Sequence, residues 1–176
     1  MINREIGDIR RSFEVLELER RIYDEVFSQQ ARARCREPSY VDLLEGFAGK
    51  ALPSILADSY QLTAIEPAEL TEGWNLGTKA GRELWEWNLE HRKPLLTILG
   101  FPCTLWCLFN RNINFKDRPE LLHALQDAER PLLRLTCRTA ETQSKGGRLF
   151  LLEQPAGSSA YDQPELSPVF DLPRTK

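Results

Sequence analysis

Apolar runs alternate with helical stretches along this chain, which predicts an α/β fold built on a mostly parallel sheet flanked by helices. Runs with strand character lie at 40–44, 61–66, 95–100 and 148–153. Helical patterns separate them, at 78–93 and again from Asp117 to Lys145. The run LLTILG at 95–100 is almost entirely apolar, as is typical of a strand covered on both faces of a parallel sheet.

The first element predicted is an amphipathic helix over 8–34. Its apolar side chains recur at helical spacings and share one face; they are Ile9, Phe13, Leu16, Tyr23 and Phe27. Pro38 ends the segment, because the residue before a proline avoids helical geometry. We therefore predict an N-terminal helical extension over 1–38 and one domain over 39–176. The extension could cap that domain or bind a protein partner.

Local signals place the ends of the later helices. Thr78 is predicted to cap the helix at 78–93. Asp117 and Glu120 have the spacing of a capping box at the start of the last long helix. Pro131 is expected to kink or break that helix, and the KGG sequence at 145–147 to end it.

Composition and charge limit the classes of function. The chain has 176 residues, of which 41% are hydrophobic and 28% charged, with a net charge of −3, so a phosphate-coating protein that is basic throughout is excluded. A local basic groove remains open, because segment 29–37 is basic and Arg111, Lys116 and Arg118 cluster. Solvated surface arginines are the alternative explanation.

Four cysteines at irregular spacings predict neither a disulfide framework nor a zinc site. Cys103 and Cys107 lie four residues apart, but no histidine stands near them, so no metal site is predicted. The sequence has no apolar run long enough to span a bilayer and no signal peptide. We expect a reducing intracellular setting, in the nucleus or the cytoplasm, without membrane association.

The carboxyl ends of the strands are the places to look for a site, because ligands of parallel sheets bind there. The chain reads EGFAG, GFPC and LEQP at these points. Gly46 and Gly49 allow close backbone approach, and Cys103 places a thiol at the sheet edge. Glu153 is expected to be buried, with a raised pKa. The structural alternatives are a tight turn, a core cysteine, and a salt bridge from Glu153 to an arginine such as Arg148 or Arg111.

Taken in order, FAG at 47–49, PC at 102–103 and EQP at 153–155 resemble three motifs of the cytosine-5 DNA methyltransferases. That family belongs to the Rossmann-like enzymes that use S-adenosylmethionine. The resemblance covers about residues 40–160. It implies a Rossmann-like sheet, S-adenosylmethionine as cofactor, and a nucleic acid partner, with DNA favoured and RNA open.

The resemblance also implies roles for the motif residues. The thiolate of Cys103 would attack C6 of cytosine, and Glu153 would hold N3 of the ring. Arg111, with Asn110 or Asn112, would contact the ring or the nucleic acid backbone. The base must leave its stack to reach the thiol.

The resemblance implies that seven residues contact the cofactor: Glu45, Phe47, Ala48, Gly49, Glu66, Asn75 and Pro102. Phe47 would pack on the adenine, with Asn75 beside it. A carboxylate after the second strand would bind the ribose hydroxyls. Glu66 is favoured by its strand position, and Glu69 competes with it.

The chain departs from the family pattern at Ala51, where a glycine is usual, and at Gln154, where an asparagine is usual. The target-recognition region expected after Glu153 is not recognised, which implies a truncated or divergent form. The alternatives are a Rossmann-like module that binds cofactor or partners without catalysis, and a methyltransferase acting on another substrate.

Overall fold

The computed structural model describes residues 41–172 and has an α/β fold, in which helices flank a parallel sheet of three short strands. The strands are β1 (Leu43–Gly46), β2 (Leu96–Leu99) and β3 (Leu149–Leu152). The helices are α1 (Leu52–Ala57), α2 (Lys79–His91), α3 (Leu108–Asn112), α4 (Pro119–Lys145) and α5 (Ser167–Phe170). Short 3₁₀ turns cover Asp58–Tyr60 and Leu70–Glu72. The predicted helix over 8–34 and the boundary at 38 lie outside the described residues.

The sheet has the order β1-β2-β3, and both pairings are parallel. Its register sets Gly46, Leu99 and Leu152 level with one another at the carboxyl edge. Neighbouring strands lie about 4.8 Å apart. The three residues that follow these strand ends therefore stand within about 10 Å of one another along the edge.

The predicted strand over 61–66 is wrong, because this segment does not form a continuous strand. Two isolated parallel bridges join this part of the chain to the other side of β1, from Ala64 to Leu43 and from Ala68 to Gly46. Pro67 lies between the bridges and has no N–H to donate to a ladder. The segment nevertheless runs parallel to β1, so four parallel stretches lie in the order 64–68, β1, β2, β3.

Helix α4 lies between two apolar clusters. The first contains Leu44, Leu99, Trp85 and Leu135, and the second contains Phe101, Trp106, Leu133 and Leu166. Trp85 is fully buried, and its indole nitrogen donates to Thr139 Oγ1 over 2.8 Å. The polar end of this core tryptophan is thereby satisfied on α4.

The helix expected to kink or break at Pro131 is continuous from Pro119 to Lys145, so it does not break there. The proline removes the donor for the carbonyl of Asp127. Asp127 is exposed, so water can satisfy that carbonyl. Leu132 and Leu133 are buried directly after the proline, and this burial stabilises the helix beyond it. The predicted capping box is also wrong, because the N-cap is Arg118 and no side chain caps it.

The N-cap predicted for α2 is confirmed. The Thr78 hydroxyl accepts from the Gly81 N–H at 3.0 Å at the start of α2.

Gln143 near the end of α4 is buried, and its amide donates to the carbonyls of Pro94 and Leu149, each at 2.9 Å. This one side chain fixes the starts of β2 and β3 relative to α4. Over residues 41–172, every helix is too short or too polar to cross a bilayer.

Candidate active site at the sheet edge

The three motif loops leave the sheet side by side. The ladder runs one residue beyond the strands: Gly100 N–H donates to Gly46 O at 3.3 Å, and Glu153 N–H donates to Leu99 O at 2.9 Å. A β-carbon at Gly100 would stand 3.5 Å from Glu153 Oε2. The carboxylate of Glu153 therefore lies beside the backbone that leads to Pro102 and Cys103.

The first loop is tightly wound. Phe47, Gly49 and Ala51 have φ angles of 58°, 54° and 49°, all in the left-handed region. That region is natural for glycine but strained for Phe47 and Ala51. Phe47 N–H also donates to Ala68 O at 2.9 Å. Backbone strain of this kind tends to cluster at functional sites, and here it falls at Phe47, within the FAG sequence, and at Ala51, two residues after it.

Glu45 has a structural role in this loop. It is buried, and its Oε2 accepts from Ser54 N–H at 3.1 Å and from Ser54 Oγ at 2.7 Å. These bonds satisfy the first turn of α1, as a capping carboxylate does. Glu45 was predicted to contact cofactor, but it is not among the residues that line the cavity at this edge.

A cavity of about 520 Å³, named here the sheet-edge cavity, opens between the loops and α4. It is lined by Phe47, Gly49, Ala68, Glu69, Leu70, Trp74, Asn75, Leu76, Gly77, Arg82, Gly100, Pro102, Leu105, Leu125, Ala128, Glu129, Pro131 and Leu132. Four of the predicted cofactor residues are in this set: Phe47, Gly49, Asn75 and Pro102. Ala48, Cys103 and Glu153 do not line the cavity. Pro102, which precedes Cys103 in the chain, does line it.

Glu69, and not the favoured Glu66, lines the sheet-edge cavity. Its Oε2 accepts from Gly49 N–H at 2.9 Å, and its Oε1 accepts from Leu70 N–H at 2.9 Å. Because the bridge to Gly46 falls at Ala68, the residue just past the sheet edge is Glu69. Sequence reasoning identified both carboxylates and favoured Glu66, with the register left open.

Asn75 occupies the far wall, in a loop held by many local bonds. Its Oδ1 accepts from Gly77 N–H at 2.8 Å, and Arg82 Nη1 donates to Leu76 O at 3.2 Å and Gly77 O at 2.8 Å. A β-carbon at Gly81 would lie 1.9 Å from the carbonyl oxygen of Asn75. Close packing of α2 against this loop therefore depends on glycine at that position.

The second loop presents Cys103 at the start of a tight turn. The carbonyl of Cys103 accepts from the N–H groups of Trp106 and Cys107, each at 2.9 Å. Both thiols are half-buried and free. Cys103 is therefore neither a fully buried core residue nor part of a disulfide.

The third loop is tied to the second by Gln154. Its buried amide nitrogen donates to Phe101 O, and its Oε1 accepts from Ser158 Oγ at 3.1 Å. Gln154 is thus a structural link between the loop after β2 and the loop after β3.

Glu153 is exposed, so its predicted burial is wrong. It follows β3, which is an edge strand of the sheet, and its Oε2 lies beside the backbone of Gly100. Within residues 41–172 Glu153 forms no salt bridge, and Arg148 instead bonds Gln143 Oε1 at 2.8 Å. Tyr161 lies close by, and the pKa of its phenol is raised. Burial is the larger cause and the negative charge of Glu153 is the smaller one.

Glu129 was missed by the sequence analysis. It reaches the sheet-edge cavity from α4, and its Oε2 accepts from Trp106 Nε1 at 3.1 Å. Burial raises the pKa of Glu129, and the bond from Trp106 opposes this more weakly. In sequence it is one of several acidic residues on a long helix, and no local signal sets it apart.

Arg111 faces a second cavity, of about 720 Å³, named here the basic cavity. It is lined by Arg111, Asn112, Phe115, Lys116, Pro119, Leu122, His123, Gln126, Ser159 and Gln163. The structure therefore separates Arg111 from the predicted cofactor residues.

Comparison with known proteins adds no assignment to this geometry. No protein-family model, no curated protein and no solved structure matches the chain.

Proposed function

We propose that this chain is an S-adenosylmethionine-dependent methyltransferase that acts at C5 of cytosine in DNA. One observation carries the proposal. The FAG, PC and EQP loops follow neighbouring parallel strands in order and leave the same edge of the sheet. The sheet-edge cavity lies against the first two of these loops.

We further propose that the sheet is the centre of a Rossmann-like fold. Segment 64–68 runs parallel to β1 on the side away from β2. After β1 the chain therefore adds segment 64–68 on one side of that strand and then β2 on the other side. Ligands of open α/β sheets bind at such a switch point in strand order. The sheet-edge cavity lies at the carboxyl end of β1, which is this position.

The sheet-edge cavity fits the proposed cofactor. Its volume of about 520 Å³ falls in the range of small-molecule sites, roughly 300–1,000 Å³. Each oxygen of Glu69 accepts one backbone N–H, and a carboxylate oxygen can accept a second hydrogen bond, here from a ribose hydroxyl. Phe47 and Trp74 supply apolar walls for a purine. When bound, S-adenosylmethionine would supply an electrophilic methyl group.

The chain's own residues would prepare the cytosine for transfer. The Cys103 thiolate adds to C6, forming a carbon–sulfur bond and moving electron density onto C5 and N3. Glu153 in its protonated form donates to N3 and stabilises that density. Methyl transfer to C5 would leave S-adenosylhomocysteine, and loss of the C5 proton to solvent would then re-form the C5–C6 double bond and expel the Cys103 thiolate. The exposed position of Glu153 leaves the base side of the site open to a flipped nucleotide.

A second candidate is a module that binds the cofactor without transferring its methyl group. Two observations favour it: Glu153 is exposed, where a proton-donating carboxyl is usually desolvated, and Ala51 keeps a β-carbon in a left-handed loop position. Calorimetry with S-adenosylmethionine separates the two candidates when it is paired with a transfer assay. Binding without transfer supports the module.

Transfer of tritium from labelled S-adenosylmethionine to cytosine-containing DNA tests the proposal. Cys103→Ser should abolish transfer, while Cys107→Ser should retain it, because both thiols are half-buried and only the first is in the PC motif. Transfer that survives Cys103→Ser would instead favour a methyltransferase acting by another mechanism.

A further inference from the structure

The basic cavity gathers cationic side chains without an acidic one. Its lining contains Arg111, Lys116 and His123, and no carboxylate. Over residues 41–172, Arg111 and Lys116 form no ion pair, whereas Arg130, Arg138 and Lys145 are each paired with an acidic residue. Unpaired cations gathered at one concave surface favour an anionic ligand.

The lining of the cavity and the residues beside it favour a ligand that carries both charged and aromatic groups. Phe115 is half-buried in its wall. Phe109 and Ile113 lie on the same short stretch, with 66% and 60% of their surfaces exposed. A cationic groove with aromatic side chains beside it is the arrangement that binds single-stranded nucleic acid, through phosphates and stacked bases.

The basic cavity shares a wall with the Cys103 loop. Gln126 Nε2 donates to Leu105 O at 2.8 Å, and Ser159 Oγ donates to Trp106 O at 3.0 Å. Both donors line the basic cavity, while Leu105 lines the sheet-edge cavity. The turn that begins at Cys103 therefore separates the two cavities, and a ligand in either one lies against it.

We propose that the basic cavity binds the sugar–phosphate backbone of a polynucleotide strand, with Arg111 and Lys116 contacting successive phosphates. This inference deepens the proposed function, on which it rests, because the strand bound here would present its target base to Cys103. Two phosphate contacts should contribute about 1.4 to the slope of log affinity against log salt, at roughly 0.7 per contact for single strands.

The test is fluorescence anisotropy of the full chain with labelled single-stranded DNA and, in a second arm, RNA of the same sequence. The double variant Arg111→Gln/Lys116→Gln should weaken binding roughly tenfold and reduce the salt slope by about 1.4. The matched control is Lys93→Gln/Lys145→Gln, which removes the same charge. Lys145 lies about 39 Å from the start of α4, at 1.5 Å per helical residue, and this double variant should bind as the unmodified chain does.

The DNA and RNA arms decide which polynucleotide is preferred. Three outcomes would overturn the inference. They are equal weakening in the control pair, competition by polyglutamate as strong as by DNA, and no binding of either strand. These outcomes differ from failure of the proposed function. Strand binding that maps to Arg111 and Lys116 without methyl transfer would refute only the methyltransferase, and transfer with unchanged binding in the double variant would refute only this site.

Discussion

The side-chain amide of Gln154 donates a hydrogen bond to the carbonyl oxygen of Phe101. This bond joins the loop after β3 to the loop that leads into Cys103, and both partners are buried. It therefore helps to set the distance between the two residues with proposed catalytic roles, Cys103 and Glu153.

Replacing Gln154 should destabilise this junction. Gln154→Ala leaves the buried Phe101 carbonyl without its donor, which costs about 1–3 kcal/mol. Gln154→Asn keeps an amide but is one methylene shorter, so it should lose much of the same bond. Urea unfolding of both variants measures the effect. Unchanged stability in both would show that the bond contributes nothing.

Gly46 and Gly100 provide a matched pair at the sheet edge. A β-carbon at Gly46 would lie 2.8 Å from Trp85 Cη2, whereas one at Gly100 would meet Glu153 Oε2 at an ordinary 3.5 Å. Gly46→Ala should therefore cost about 1–3 kcal/mol by overpacking. Gly100→Ala should have a much smaller effect on the free energy of unfolding. Equal losses in the two variants would contradict the packing described here.

Glu129 should give stability a pH dependence of known sign. Its pKa in the folded chain is raised above the ordinary 4.5, so folding favours its protonated form. Its contribution to stability is fully present below pH 4.5 and is lost as pH rises through the folded pKa. Glu129→Gln can still accept from Trp106 and should lack this loss. Thermal melts of both proteins across acidic to neutral pH check it, and identical pH profiles would refute it.

The two competing carboxylates can be separated by cofactor binding. Glu69→Gln should weaken S-adenosylmethionine binding about tenfold, a loss of roughly 1.4 kcal/mol, typical of a hydrogen bond to a charged group. Glu66→Gln is the control, because Glu66 is not among the residues lining the cavity. Isothermal titration calorimetry gives both affinities. A larger loss of cofactor affinity in Glu66→Gln than in Glu69→Gln would instead indicate that Glu66, the residue favoured from the sequence, binds the ribose.

Local sequence signals were sufficient for the parallel sheet, for the cap at Thr78 and for the three loops at its edge. Each of these depends on residues near one another in the chain. The register of segment 64–68 was not accessible from the sequence, because only two bridges, one on each side of Pro67, join it to β1 and set Ala68 beside Gly46.

Tertiary burial explains the remaining errors. Pro131 was expected to kink or break α4, but the leucines that follow it are buried and keep the helix continuous. Glu153 was expected to be buried because four of the five preceding residues are apolar, yet β3 is an outer strand and its side chain reaches solvent. Neither the helix packing nor the sheet order can be derived from the local pattern.

Covalent trapping tests the proposed chemistry most directly. In DNA that contains 5-fluorocytosine, fluorine replaces the C5 proton whose loss would release the thiolate, so the carbon–sulfur bond should persist after methylation. With S-adenosylmethionine present, mass spectrometry should find a DNA adduct on Cys103, in the unmodified chain and in Cys107→Ala. An adduct on another residue, or none from a chain that binds both cofactor and DNA, would contradict a nucleophilic role for Cys103.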